Sequence, residues 1–254
     1  YYGDGSILLD EELTIVEWEV AKERYRVFKK FLPGQSDVIE VGPGGGHVLK
    51  WLAARGHRIT GVEHSQTLAL QLSARLGVPI INAEFETHDF GTTSFDTFCS
   101  FHVIEHVPNP RAHLNKAYEV LRPGGLAFLA TPNARSWQQR VAPRLGPNFD
   151  SAHLHIFSPQ SLQLACEQAG WKVLYKVTPE SSGGWARVLS RILRTIRQED
   201  AKQTAGKYGH SSSMSVRVFA SLFRFITLPS RLLQRNLGAG NEIFMVLQKP
   251  SQTA

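Results

Sequence analysis

The sequence predicts a doubly wound, mostly parallel α/β sheet, and three observations carry that prediction. Short apolar runs alternate with stretches of helical periodicity along most of the 254 residues. A glycine-rich turn, Gly42-Pro43-Gly44-Gly45-Gly46, follows the first of these runs directly, and an acid, Glu63, closes the second. Strands separated by single helices make βαβ units, whose parallel sheets bind ligands at the carboxyl ends of the strands.

Each element has its own signal. Residues 11–31 place Ile15, Trp18, Val20, Tyr25 and Phe28 at helical spacing, and Pro33-Gly34 ends the run. Residues 37–41 read as a buried strand. Residues 47–55 carry Val48, Leu49 and Leu52 in a helix that Gly56 closes. Residues 58–62 make strand two. Ser65 caps a helix that runs to Leu76 and stops at Gly77. Strands three and four take 78–81 and 95–101. A helix over 110–121 stops at Arg122-Pro123-Gly124-Gly125, and strand five takes 126–130. Ser158 and Pro159 open a helix that Gly170 closes; strand six takes 171–177 and a last strand 242–247. The chain reads as a single domain over 1–254. It has a helical region over 1–34, a core over 35–179, an insertion over 180–240 and the final strand within 241–249.

Composition narrows the function classes. Cys99 and Cys166 cannot build a disulfide framework, and neither lies in a C-x-x-C pair, which points to a reducing, cytoplasmic setting. No apolar run reaches the ~18 residues needed to cross a bilayer, and no secretory signal opens the sequence. The net charge of +6 is uneven: residues 185–235 hold ten Lys or Arg against Glu199 and Asp200, leaving the remainder slightly acidic.

That basic segment has two amphipathic stretches. In 185–197, Val188, Leu189, Ile192, Leu193 and Ile196 share a helical face, with Arg187, Arg191, Arg194 and Arg197 largely opposite. Residues 214–235 are apolar and aromatic, with Arg217, Arg224 and Arg231 one heptad apart, and Pro229 breaks or kinks the run. Such helices suit peripheral contact with an anionic membrane through 185–235; they equally suit a lid over the pocket or a homodimer interface. Nucleic acid is not expected, because the aromatic positions coincide with the apolar faces instead of interleaving with the basic ones.

A glycine turn between a strand and a helix lets a ligand meet free N–H groups at the helix N-terminus. The dinucleotide spacing G-x-G-x-x-G fails here: from Gly42 its third position is His47, and from Gly44 it is Leu49. What stands is Glu40 at the strand, then Gly42, Gly44 and Gly46. This pattern resembles motif I of the class I S-adenosylmethionine-dependent methyltransferases. The resemblance continues in order, through Glu63, which lies 21 residues after Gly42. Asn82-Ala83-Glu84 is similar to the Asp-Ala-Glu of the ubiquinone-biosynthesis-like small-molecule branch. Phe95-Asp96, Ile104-Glu105-His106-Val107-Pro108 and Arg122-Pro123-Gly124-Gly125 follow. It covers about residues 36–178 and rejoins at 241–249.

The resemblance implies a seven-stranded Rossmann-like methyltransferase sheet with its last strand antiparallel. It implies S-adenosylmethionine as cofactor, S-adenosylhomocysteine as product and a small molecule as methyl acceptor. The cofactor-binding positions it points to are Glu40, Gly42, Pro43, Gly44 and Gly46 at the turn, and Glu63 with His64 beside the ribose. Asn82, Ala83 and Glu84 fall near the adenine, and Phe101 and His102 near the sulfonium or amino-acid end. A carboxylate such as Glu63 can accept both hydrogen bonds of a ribose diol. Between Asn82 and the Ala83 amide as reader of the adenine edge, the sequence does not choose.

Ten histidines are present, and His102, His106, His153 and His155 fall near the expected pocket. Transfer to a hydroxyl needs a positioned nucleophile and removal of its proton, a task suited to a histidine near neutral pKa. The candidate catalytic residues are His106, His102 and His153, with a structural role for His106 left open. His102 and His106 are also i, i+4 and His153-x-His155 adds nitrogens, but Pro108 leaves no helix assured there, so no metal is expected. The expected reaction is O-methylation of a phenol or quinone precursor, a sugar or a lipid-linked metabolite. C- or N-methylation, or a non-catalytic scaffold of the same fold, are the alternatives. The intact Gly42, Gly44, Gly46 and Glu63 argue against the scaffold.

Overall fold

The computed structural model describes residues 15–32, 34–143, 152–180 and 214–251, with Trp185 and Val188. The chain runs α1 (Ile15–Phe31), β1 (Asp37–Val41), α2 (His47–Ala53), β2 (Arg58–Glu63), α3 (Gln66–Leu76), β3 (Ile80–Asn82) and β4 (Phe95–Phe101). It continues with α4 (Pro110–Val120), β5 (Leu121–Pro132), α5 (Trp137–Val141), α6 (Pro159–Gln168), β6 (Lys172–Val177), α7 (Met214–Asn236) and β7 (Glu242–Gln248). Seven strands form one sheet in the order β3-β2-β1-β4-β5-β7-β6. β1 to β5 pair in parallel, and β7 is antiparallel to both β5 and β6, as the resemblance implies.

The strands are apolar on both sides because both sides are covered. In β1, Val38 packs with Phe28 of α1 and Leu49 of α2, while Ile39 packs with the cluster containing Leu114 of α4 and Leu162 of α6. Successive strand side chains alternate faces, so each face of the sheet has its own core. Phe28 and Phe128 meet at 4.6 Å on one of them. Each such side chain stabilises the fold by ~1.5–3 kcal/mol relative to leaving it in water.

Local capping chemistry agrees with the sequence. Ser65 Oγ accepts the Leu68 N–H at 3.4 Å, and Gly77 ends α3 in the left-handed region. Ser158 and Ser161 cap α6 reciprocally.

Three elements differ from expectation by two or more residues at an end, and one helix is additional. α2 ends at Ala53, two residues early, and Gly56 lies in the turn beyond it. β3 sits one or two residues later than expected and takes in Asn82. β5 begins at Leu121, so Arg122-Pro123-Gly124-Gly125 runs inside the strand instead of ahead of it. Leu121 pairs with Phe95, the register shifts between Phe95 and Thr97, and Arg122 reaches Asp37 and Asp96; these long-range partners extend the strand through a glycine pair. The short helix α5 was not anticipated; Ser136 Oγ caps it by accepting from Gln139 N at 3.2 Å.

α7 continues through Pro229 without breaking. The carbonyl that the proline leaves without a donor is on an exposed stretch, where Phe225 is 76% exposed, so water can take it. The amphipathic helix expected over 185–197 lies outside the described residues, apart from Trp185 and Val188. Trp185 Nε1 donates to Gln234 Oε1 at 3.2 Å, and Val188 is buried. No helix among the described residues is long and apolar enough to cross a membrane.

Candidate active site

The carboxyl ends of β1, β2 and β4 bring the predicted segments to one edge of the sheet. Gly42 N donates to Val62 O at 2.9 Å. A Cβ on Gly42 would lie 2.6 Å from Val103 Cγ2, so the turn packs directly on the segment after β4. Gly46 has φ 70°, and its Cβ position is 2.6 Å from Leu76 Cδ1. Gly44 also has a positive φ, 52°, yet nothing lies within 4 Å of its Cβ position. Gly46 is required by packing; Gly44 borders open space beside the backbone, as a ligand cradle needs.

At β2, Glu63 is buried, and its Oε1 accepts from Ser65 N at 2.9 Å, with His64 Nδ1 3.2 Å away. The two adenine-reading donors offered by the sequence are committed to this turn. Asn82 Nδ2 donates to Glu63 O and His64 O at 2.9 and 2.8 Å, and Ala83 N to Glu63 O at 3.3 Å. They hold the loop in place, with Asn82 Oδ1 as the group left to face a ligand. Glu84 is exposed, and its carbonyl accepts from the Thr87 and His88 amides. The loop is tied to the core by His113 of α4, whose Nδ1 is 2.6 Å from Glu86 Oε1 and whose Nε2 is 3.0 Å from Ser100 Oγ.

A charged cluster follows β4. His102, with φ 58°, is the one non-glycine with positive φ among the described residues. Strain of this kind persists where the surroundings hold it, commonly at functional sites. Its Nε2 lies 2.6 Å from Glu242 Oε2 and its Nδ1 3.3 Å from Glu105 Oε1. Burial opposes a charged ring, but the bonds to Glu105 and Glu242 outweigh it and push the pKa up to about 9. His102 is therefore a cation at neutral pH. Burial likewise opposes ionisation of the two carboxyls. Contact with His102 nevertheless holds Glu105 below its usual range, and the charge of Arg24 together with His102 does so for Glu242.

Arg24 reaches Glu242 at 3.4 Å and lies 4.2 Å over the Phe101 ring. That ring also stacks on Phe244 at 6.0 Å, so the Phe101 side chain belongs to the core and its backbone borders the site. Glu40 is 3% exposed, and burial raises its pKa to about 8 against the pull of Arg24 and the Leu49 amide. Glu40 Oε2 and Arg24 Nε are buried without hydrogen-bond partners among the described residues. A buried acceptor and a buried donor both in need of partners match the ammonium and carboxylate of an amino-acid ligand.

His106 is set up differently from His102. Its Nδ1 lies 2.9 Å from Ala152 O, so Nδ1 carries the proton and Nε2 keeps a lone pair. The His153 ring packs edgewise on it at 4.8 Å. Glu105 O accepts from Leu154 N and His155 N at 2.9 and 3.1 Å, which fixes the loop carrying His153. His155 itself turns towards Phe157, 6.2 Å away. No metal was expected from the sequence, yet Glu105, His106 and His153 hold ligand-type atoms within 4.8 Å of one another. His102, paired with His106 by spacing alone, faces Glu242 instead. Arg24, Thr131 and Glu242 were not legible: they are scattered through the chain, and only the strand order brings them to His102. Thr131 Oγ1 donates to Glu105 Oε2 at 2.8 Å.

Comparisons with known proteins agree with this geometry. The family described as a methyltransferase domain matches residues 15–176. A ubiquinone biosynthesis O-methyltransferase from Alkalilimnicola ehrlichii is 28% identical over 190 residues, covering 72% of this chain and 71% of that protein. Another, from Idiomarina loihiensis, is 34% identical over 109 residues, covering 39% of this chain and 44% of the relative. The chain thus spans less than half the length of the latter. A solved S-adenosylmethionine-dependent methyltransferase from Archaeoglobus fulgidus superposes with a TM-score of 0.60 at 18% identity, covering 91% of this chain and 94% of that one. At that identity the likeness speaks for the fold. The family match runs from α1 into β6 and takes in more than half of the sequence: the chain belongs to the methyltransferase-domain family, in its class I, S-adenosylmethionine-dependent branch.

Proposed function

We propose that the chain transfers the methyl group of S-adenosylmethionine to a hydroxyl oxygen of a small molecule, with S-adenosylhomocysteine as product. The observation that carries the oxygen assignment is His106, whose Nδ1 is tied to the Ala152 carbonyl at 2.9 Å so that Nε2 can accept a proton. The names of the relatives, O-methyltransferases of ubiquinone biosynthesis, support a phenolic or quinone-precursor acceptor. A sugar or lipid-linked hydroxyl fits the same chemistry.

The residues present fit the cofactor. Gly44 leaves room for close approach, the carboxylate of Glu63 suits a ribose diol, and the unpartnered atoms of Glu40 and Arg24 suit a methionyl end. When bound, the cofactor supplies an electrophilic methyl on sulfur. His106 Nε2 would take the acceptor's hydroxyl proton as its oxygen gains the methyl group, with S-adenosylhomocysteine as the leaving group. His102, held protonated by Glu105 and Glu242, is not the base; both its ring N–H groups are committed to those carboxylates, and it braces the segment after β4. His153 limits rotation of the His106 ring by packing on its face.

Calorimetry with S-adenosylhomocysteine tests the cofactor, and methyl-labelled S-adenosylmethionine offered with a catechol, a sugar alcohol or a primary amine tests the acceptor. Label in a hydroxyl compound, lost in His106→Ala, is the expected result. Absence of binding at millimolar ligand points to a scaffold, and label in the amine alone removes oxygen as the acceptor atom.

A further inference from the structure

α7 sits against the protein with its polar side inward. Gln234 is buried and bonded to Trp185, Arg235 pairs with Glu23 at 2.9 Å, and Thr227 and Ser230 are half-buried. The apolar side faces outward: Phe225 is 76%, Ile226 66%, Leu232 51% and Leu233 49% exposed, and Leu237, just past the helix, 62%. These positions recur at helical spacing and form one stripe. A helix that only faced water would be turned the other way, and an exposed apolar stripe marks a contact surface.

Charge indicates what covers it. Residues 201–241 hold six Lys or Arg and no Asp or Glu. A second copy of this chain would bring the same cationic stretch against itself, which like charges disfavour. A bilayer with anionic lipid meets both demands, since acyl chains receive the apolar stripe and the anionic surface attracts the net positive charge of residues 201–241. We propose that α7 lies in the plane of an anionic bilayer, with Phe225, Ile226, Leu232 and Leu233 at the head-group boundary. Asn133 Nδ2 anchors the segment after α7 through Gly238 O and Gly240 O at 3.1 and 2.7 Å, and Glu242, the partner of His102, follows at once. The docked bilayer therefore adjoins the carboxyl edge of the sheet, where a lipid-borne acceptor would arrive. Docking itself stands independently of the methyl-transfer reading.

The test is sedimentation with vesicles of phosphatidylglycerol and phosphatidylcholine in equal parts, against phosphatidylcholine alone, at low salt. The protein should partition onto the anionic vesicles ~10-fold or more better, and the double substitution Leu232→Ser, Leu233→Ser should reduce that ~10-fold or more. Both leucines are exposed, so an unchanged melting midpoint is expected; Ile226→Ser on the same face provides a second variant. Raised salt should weaken binding. Failure of the unaltered protein to bind anionic vesicles, or equal binding by the variants, overturns the proposal. So does a lipid-free dimer that the same substitutions dissociate without any vesicle binding, which would assign the stripe to a second copy.

Discussion

His102 Nε2 lies 2.6 Å from Glu242 Oε2, joining the residue after β4 to the first residue of β7 across the end of β5. With Arg24 and Glu105 the pair makes a cluster of two cations and two carboxylates at the edge of the cofactor site. Its charges balance, and removing one partner strands another in a dry environment.

The first prediction concerns pH and stability. The His102 pKa is raised from 6.5 to about 9 on folding. The stabilisation from its charge is therefore fully present below about 6.5 and is lost as pH rises through about 9. The difference in melting midpoint between the unaltered protein and His102→Gln should shrink across that window. A difference independent of pH would mean that the ring acts as a neutral hydrogen-bonding group.

Glu40 runs in the opposite sense. Its pKa rises from 4.5 to about 8, so the folded state holds a proton that the unfolded chain has lost, and stability falls as pH rises between those values. Glu40→Gln should raise the melting midpoint above pH 8 while weakening S-adenosylhomocysteine by ~10-fold or more, the scale of a charged hydrogen bond. Below that pH, ligand binding should release up to one proton from the unaltered protein and none from the variant. Calorimetry in buffers of different ionisation heat measures this directly.

Two alanine substitutions in the glycine turn should separate packing from binding. Gly44→Ala meets no neighbour within 4 Å, so it should cost only the ~1–2 kcal/mol of left-handed strain yet abolish most ligand affinity. Gly46→Ala adds a 2.6 Å contact with Leu76 and should cost a further ~1–3 kcal/mol. Denaturant melts paired with calorimetry give both numbers. Unchanged ligand affinity in Gly44→Ala would contradict the assignment of Gly44 to the ligand, and equal stability loss in the two variants would contradict that of Gly46 to packing.

For the proposed base, His106→Ala should keep cofactor binding and slow turnover by ~10² or more. Near-normal turnover in His106→Ala would leave the residue a structural one.

Much of this arrangement is legible locally. Ser65 and Ser158 cap helices through bonds to residues three positions on, and Gly44 and Gly46 adopt a backbone that side chains disfavour. Such signals survive in sequence because their cause lies within a turn of chain. The start of β5 is not legible, because Arg122-Pro123-Gly124-Gly125 becomes strand only when Phe95 pairs with Leu121 and Asp37 and Asp96 hold Arg122.

Short-range chemistry in the sequence determined the alternation of elements, the glycine turn, the acid at strand two and the amphipathic stripe of α7. Tertiary structure alone decided that His102 is a clamped cation while His106 donates Nδ1–H to the Ala152 carbonyl, that Asn82 and Ala83 brace a loop, and that the stripe of α7 points outward. Periodicity fixes which residues share a face but not which way the face turns. The charge state of His102 depends in part on a carboxylate, that of Glu242, which the strand order delivers from 140 residues away.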